Sequence, residues 1–158
     1  MAKQTLLGAS DALSMLSMLY PDLKVALSDV AVENDEQAFF GTYIDDDDTP
    51  VALCAVDRAY AAFLGGALTL IPAETAKEMA VSGELNDGAL ANLREVMNII
   101  SRLYMGGTSP HLRFANIRMN KGELTEPEAA ILSNCAARLD MKMAVPNYGI
   151  GQCSLISL

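Results

Sequence analysis

Residues 87–105 repeat apolar side chains with the period of an α-helix, and this pattern constrains the fold more than any other part of the chain. The apolar positions are Leu90, Leu93, Met97, Ile100 and Tyr104. The positions between them include Asp87, Ala91, Glu95, Asn98 and Arg102. At about 100° per residue the two sets lie on roughly opposite sides of a helix. We therefore predict an amphipathic helix that buries one face and presents Glu95 and Asn98 as neighbours on the other.

Length and hydrophobicity favour one globular domain over residues 1–158. The chain has 158 residues, of which 51% are hydrophobic, enough for a core that buries most of its apolar surface. No run approaches the roughly 18 consecutive apolar residues of a membrane-spanning helix, so we expect no membrane insertion. The N-terminal residues lack the pattern of a signal peptide. The expected location is therefore the cytoplasm.

Charge and cysteine content narrow the range of partners. The formal net charge is −9, and the eleven Lys and Arg residues are dispersed along the sequence. Phosphate binding draws on clustered positive charge, so we expect no nucleic-acid partner. The acidic balance favours a basic protein surface or serves solubility. Cys54, Cys135 and Cys153 lack zinc-site or disulfide-framework spacing, and we interpret them as small core residues.

The order of predicted elements indicates an α+β fold with an antiparallel sheet and helices packed on one face. The predicted helices cover residues 12–19, two pieces of 57–79 broken at Gly65-Gly66 and Pro72, the helix at 87–105, and 126–132. The predicted strands cover residues 25–32, 38–44, 51–56, 111–119, 141–145 and 150–158. We expect the first three strands to form a meander and the last two to form a hairpin.

Other conspicuous residues have simpler interpretations than catalysis. Asp45, Asp46, Asp47 and Asp48 lack the spacing and glycine of a calcium-binding loop, so a solvated turn is favoured over a cation site. His111 is the sole histidine, so the chain has too few histidines for a histidine-based metal cluster. It is also a weak candidate for the base of a nucleophile–base arrangement. No phosphate-binding glycine loop or serine nucleophile elbow occurs. We expect no metal site in this chain.

At Glu95 and Asn98 the chain resembles the CheC, CheX and FliY family of bacterial chemotaxis phosphatases. The family motif is Asp or Ser, three residues, Glu, two residues and Asn on an exposed helix. Glu95 and Asn98 match this motif, whereas Ala91 occupies its first position. Pro110 follows Asn98 sooner than the family proline does, which implies a shortened connection. The second predicted helix that could carry a site, 126–138, has no Glu-x-x-Asn, so a single-site, CheX-like arrangement fits better.

The resemblance implies dephosphorylation of a phosphorylated CheY-like receiver. The receiver's aspartyl phosphate already has a bound Mg²⁺ and a lysine, so this chain needs no cofactor of its own. The resemblance assigns Asn98 to orienting the attacking water and Glu95 to pairing with the receiver lysine. Asp87, Ala91 and Arg102 would complete the receiver-binding face. Family likeness also implies a possible homodimer that pairs through strands.

Two alternatives remain open. A non-catalytic interaction module of the same fold, as in flagellar-switch proteins, is motivated by Ala91 at the position of Asp or Ser. A small-ligand-binding α+β domain would be favoured by a deep apolar pocket away from Glu95. The sequence does not identify the receiver.

Overall fold

A computed structural model describes residues 3–158, and these residues form six strands and five α-helices. The strands are β1 (Lys24–Leu27), β2 (Phe39–Ile44), β3 (Pro50–Val56), β4 (Arg113–Arg118), β5 (Ala137–Val145) and β6 (Gly149–Ser157). The helices are α1 (Ala9–Leu16), α2 (Arg58–Ala67), α3 (Ala73–Ser82), α4 (Asp87–Ile100) and α5 (Glu126–Ser133). Short 3₁₀ helices occur at Val32–Asn34, Ser101–Tyr104 and Lys121–Glu123.

The six strands form one sheet in the order β1-β5-β6-β3-β2-β4. Every neighbouring pair in this sheet is antiparallel. The predicted α+β class is therefore confirmed, as is the closing hairpin, which is formed by β5 and β6. The segment between α2 and α3 contains Pro72, as predicted, whereas Gly65 and Gly66 lie inside α2.

The predicted three-stranded meander is wrong, because β1 pairs with β5 at one edge while β2 pairs with β3 and β4 near the other. The predicted strand 25–32 ends at Leu27 for the same reason: the chain must cross the sheet to reach β2. The crossing is held by the hydroxyl of Ser154 on β6, which accepts a hydrogen bond from the Val32 N–H at 3.0 Å. Local alternation of side chains carries no information about this crossing.

Helices cover both faces of the sheet. The larger core lies between α1–α4 and one face, and it buries Leu16, Tyr43, Leu93 and Met97. The prediction of helices on one face holds for these four. The opposite face is covered by α5, whose Ile131 is packed with Phe40, Leu53, Ala55 and Ile156.

The first helix differs from its prediction at both ends. It begins one turn earlier, with Gly8 as N-cap, and the Asp11 carboxylate accepts a hydrogen bond from the Gly8 N–H at 2.9 Å. It ends at Leu16, three residues before the predicted end, and Met18 lies beyond it with its side chain 87% exposed. Cysteines were predicted to be small core residues; Cys54 and Cys153 are buried, and Cys135 is half-buried. Burial raises the pKa of the Cys54 thiol to about 12.

A buried carboxylate fastens α5 to the sheet. Glu128 is 1% exposed, and its carboxylate accepts hydrogen bonds from the Thr42 hydroxyl, from the Arg118 Nε at 3.0 Å and from the Thr125 N–H at 2.8 Å. Burial opposes ionisation, but these donors outweigh it and lower the pKa of Glu128. A carboxyl with a lowered folded-state pKa stabilises the fold above its unfolded-state pKa, and this stabilisation is lost as pH falls through the folded-state value.

We predict that Glu128→Gln lowers the free energy of unfolding by about 3 kcal/mol at pH 7, because Arg118 loses its charged partner. Chemical denaturation across pH measures the effect, and the difference from wild type should shrink as pH falls below about 4.3, the ordinary glutamate pKa. Glu126→Gln removes an exposed carboxylate from the same helix and is the matched control. A pH-independent difference for Glu128→Gln would contradict the assignment.

Candidate functional site

The helix that carries Glu95 and Asn98 has well-defined ends. The Asn86 side chain caps α4 by accepting a hydrogen bond from the Ala89 N–H at 2.8 Å. At the other end, the Ser101 hydroxyl donates to the Asn98 carbonyl at 2.6 Å, and the Tyr43 hydroxyl donates to the Met97 carbonyl at 2.6 Å. The Asn98 carbonyl also accepts a hydrogen bond from the Ser101 N–H, so the two hydroxyls add hydrogen bonds to the last turn of the helix. The turn that holds Asn98 is thereby fixed to β2.

A close contact with α2 fixes α4 from the side. The Asn92 side chain donates from Nδ2 to the Gly65 carbonyl at 2.7 Å and to the Thr69 hydroxyl at 2.9 Å. A Cβ placed on Gly65 would lie 2.8 Å from the Ala89 carbonyl oxygen, which only glycine avoids. The sequence pattern did not single out Asn92 or Gly65 as site-positioning residues, because neither the hydrogen bond nor the contact has a periodic signal.

The structure places Glu95 and Asn98 as exposed neighbours on α4, opposite the buried Leu93, Met97 and Ile100. Among residues 3–158, neither the Glu95 carboxylate nor the Asn98 amide has a hydrogen-bond or ion-pair partner. Both side chains are therefore free to contact another molecule.

The other predicted members of this face lie on α4 or just beyond it. Asp87 and Ala91 are exposed on α4, and Arg102 is exposed in the 3₁₀ helix Ser101–Tyr104 that continues it. Arg94, which sequence reasoning did not include, is also exposed, one helical turn before Asn98. Its position four residues before Asn98 is the sequence signal that could have identified it.

The aspartate run forms a turn between β2 and β3. The Asp45 carboxylate accepts hydrogen bonds from the Asp47 N–H at 2.9 Å and the Thr49 N–H at 3.0 Å. His111 contacts Asp46, and Arg113 contacts Asp48. Three of the four carboxylates are thus engaged within the fold. Over the described part of the chain, no group of three or more His, Cys, Asp or Glu residues is arranged to hold a metal ion.

Two surface cavities lie away from the Glu95 face. A cavity of about 620 Å³ includes Gln4, Asp47, Thr49 and Pro110 among its lining residues. A second cavity, of about 450 Å³, lies beside Tyr20, Leu70 and Tyr148. Neither includes a residue of α4.

None of the helices in residues 3–158 is both long and apolar enough to cross a membrane.

Comparisons with solved structures identify the fold. The FliM middle domain of H. pylori matches with a TM-score of 0.53 at 10% identity, covering 94% of this chain and 82% of that one. The FliM middle domain of Vibrio alginolyticus matches with a TM-score of 0.51 at 10% identity, covering 94% and 86%. A CheX–CheY–BeF₃–Mg²⁺ structure from Borrelia burgdorferi also matches, with a TM-score of 0.46 at 16% identity, covering 92% and 91%.

These likenesses show that the chain has the fold of FliM middle domains. Solved CheX, CheC-like and FliY chains are also among the matches, at 16% identity or less. No protein-family model and no curated protein sequence matches this chain.

The contact between α2 and α4 can be tested with a matched pair of glycines. We predict that Gly65→Ala lowers the free energy of unfolding by about 1–3 kcal/mol, because its methyl group must displace the backbone of α4 at Ala89. Gly88→Ala is the control, since a Cβ there lies 3.6 Å from its nearest neighbour, the Asn86 Oδ1, in ordinary contact. This control should leave stability unchanged or raise it by up to about 1 kcal/mol. Equal effects of the two changes, measured by denaturation, would contradict the tight contact.

Proposed function

We propose that this domain is a phosphatase that removes the aspartyl phosphate of a CheY-like receiver in chemotaxis or two-component signalling. The observation that carries the proposal is the placement of Glu95 and Asn98 side by side on a fixed helix, exposed and without partners in the described chain. A face of this kind suits a reaction in which the partner supplies the phosphoryl group, the Mg²⁺ and the lysine. The match of both residues to the phosphatase motif supports the same assignment.

Asn98 is proposed to hold the attacking water in line with the phosphorus. An amide can accept one hydrogen bond from the water and donate another to the phosphoryl group, so it orients the water without removing its proton. The water oxygen forms the new bond to phosphorus, and the bond to the aspartyl oxygen breaks. The products are a free aspartate carboxylate and inorganic phosphate, and one proton of the water passes to phosphate or solvent. Mg²⁺ held by the receiver would neutralise charge on the phosphoryl oxygens.

Glu95 is proposed to dock the helix by pairing with the receiver lysine. Glu95 lies three residues before Asn98, so the two side chains share one helix face and reach the same partner pocket. Pairing at Glu95 would fix the distance between Asn98 and the phosphorus. The two residues thus have separable roles, in binding and in positioning.

These roles predict different kinetic defects. Asn98→Ala should slow aspartyl-phosphate loss at saturating phosphatase by about 100-fold, because a misplaced water costs that much in rate. Glu95→Ala should instead weaken binding by about tenfold or more, since an ion pair to the receiver is lost. Phosphate release from ³²P-labelled receivers at varied phosphatase concentration separates the two effects.

Glu84→Ala, which removes an exposed carboxylate from the segment before α4, is the control and should behave as wild type. Equal phosphate loss with wild type and Asn98→Ala would remove the catalytic role.

A non-catalytic interaction module is the second candidate, and Ala91 favours it. This residue leaves the first motif position without a polar side chain on the exposed face. The FliM middle domains share the fold, and one is solved as a FliG–FliM complex from H. pylori, which matches with a TM-score of 0.52 at 9% identity. In this reading the same α4 face binds a receiver without accelerating phosphate loss.

The two candidates give opposite results for Ala91→Asp. If the domain is a phosphatase weakened at the first motif position, Ala91→Asp should raise the rate of phosphate loss by about tenfold, the value of one added hydrogen bond to an ionised group. Ala91→Leu, which also enlarges the side chain but adds no polar group, should not. Receiver binding with no acceleration by wild type or Ala91→Asp would select the interaction module.

A further inference from the structure

The arginines of this chain divide into those with partners and those without. Four of the six have an acceptor inside the fold: Arg58 with the Val81 carbonyl, Arg113 with Asp48, Arg118 with Glu128, and Arg138 with Glu33 and Asp140. Within residues 3–158, Arg94 and Arg102 form neither a hydrogen bond nor an ion pair through their side chains. Both unpaired arginines lie on the candidate face.

Their spacing places one guanidinium on each side of Asn98. Arg94 precedes Asn98 by four residues and Arg102 follows it by four, so all three project from the same side over roughly 12 Å of helix. No acidic residue lies three or four positions from either arginine. The helix therefore offers these two arginines no ion-pair partner. This is notable in a chain whose 20 Asp and Glu residues outnumber its Lys and Arg residues.

The centre of this face differs in sign from the charge of the chain. The net charge is −9, which by itself repels an acidic partner. Residues 94–102 contain Arg94, Glu95 and Arg102 and carry a net charge of +1, whereas Asp87 lies about two turns before Arg94 and brings the charge of the whole face to zero. Such a local reversal favours one orientation of a negatively charged partner and opposes the others.

We infer that Arg94 and Arg102 form a two-pronged clamp for an acidic protein surface that surrounds a phosphorylated side chain. The inference rests on the proposed function, because it names the chemistry of the surface that the Asn98 face meets. A phosphoryl group carries a charge of about −2, and the carboxylates that hold Mg²⁺ add further negative charge around it, of which the ion offsets two units. The arginines contact that rim in bidentate pairs, and the phosphoryl group lies between them at Asn98.

Nucleic acid fits this face less well. Duplex binding uses six or more cations along a charged stripe, whereas this face has two cations and two carboxylates. The remaining exposed chain is acidic and would repel a long polyanion. A compact partner with an acidic rim is the occupant that two cations can match.

The test measures association with a panel of receiver domains activated by beryllofluoride and Mg²⁺. Arg94→Glu combined with Arg102→Glu changes the charge by −4 and should slow association at low salt by tenfold or more, with a smaller effect at high salt. Lys24→Glu combined with Lys142→Glu makes the same total change at exposed positions on β1 and β5, and it should slow association less than twofold. Circular dichroism confirms that both double variants fold.

Equal slowing by the two double variants would mean that only net charge matters, and it would overturn the inference. Unchanged association of the arginine variant would overturn it as well. Binding of duplex DNA that depends on the two arginines, with no effect on receivers, would assign the face to nucleic acid instead.

Failure of the phosphatase proposal is distinguishable from failure of this inference. If Asn98→Ala hydrolyses as fast as wild type while the arginine variant binds poorly, the clamp stands and the catalytic role falls. If no receiver binds, a polyglutamate peptide serves as the probe. The NMR chemical-shift changes that it causes must then be larger at residues 94–102 than around Lys24 and Lys142. No shift changes, or changes of equal size at the two places, would overturn the clamp.

Discussion

The close contact between α2 and α4 is the constraint on which the candidate face depends. Gly65 lets the backbones approach at Ala89, and Asn92 ties the helices together at the same level. Once this side of α4 is fixed, the buried Leu93, Met97 and Ile100 determine which side faces outward. The Tyr43 hydroxyl then holds the last turn to the sheet. The orientation of Glu95 and Asn98 therefore follows from packing, and neither residue needs an internal partner to hold its position.

Electrostatics at this face cannot be deduced from composition. The net charge of −9 favoured a basic partner surface or a role in solubility, and most carboxylates lie away from α4 or are engaged within the fold. Glu128 and Glu33, for example, neutralise Arg118 and Arg138 inside the fold. Among the described residues, Arg58 bonds only to a backbone carbonyl, and the side chains of Arg94 and Arg102 have no acceptor at all. Which charged side chains are already paired within the fold, and not the net charge of the chain, determines which partners a surface can attract.

The sequence predicted those features that depend on local patterns. The 3.6-residue period defined α4, and the predicted helix 126–132 corresponds to α5, which the structure shows beginning with a capping box between Thr125 and Glu128. Strand order escaped prediction because β1 and β2 are separated by a crossing that depends on Ser154, 122 residues along the chain from Val32. The first helix was predicted to reach residue 19 because helical periodicity was extended past Leu16, where α1 ends. The spacing of Arg94 from Asn98 is visible in the sequence, but its lack of an internal partner is known only once the ion pairs of the other arginines are seen in the structure.

Rigidity of the face bears on how Ala91 affects the proposed reaction. A water-positioning mechanism draws its rate from the placement of Asn98, and that placement is fixed by Tyr43, Ser101 and the packing of Met97. None of these contacts involves Ala91, which is exposed about two turns before Asn98. Under the proposed mechanism, a missing polar group at position 91 removes a contact with the partner but does not disturb the water-binding amide. The consequence is a weaker contact with the partner, which the unpaired Arg94 and Arg102 of the inferred clamp would offset from the same face.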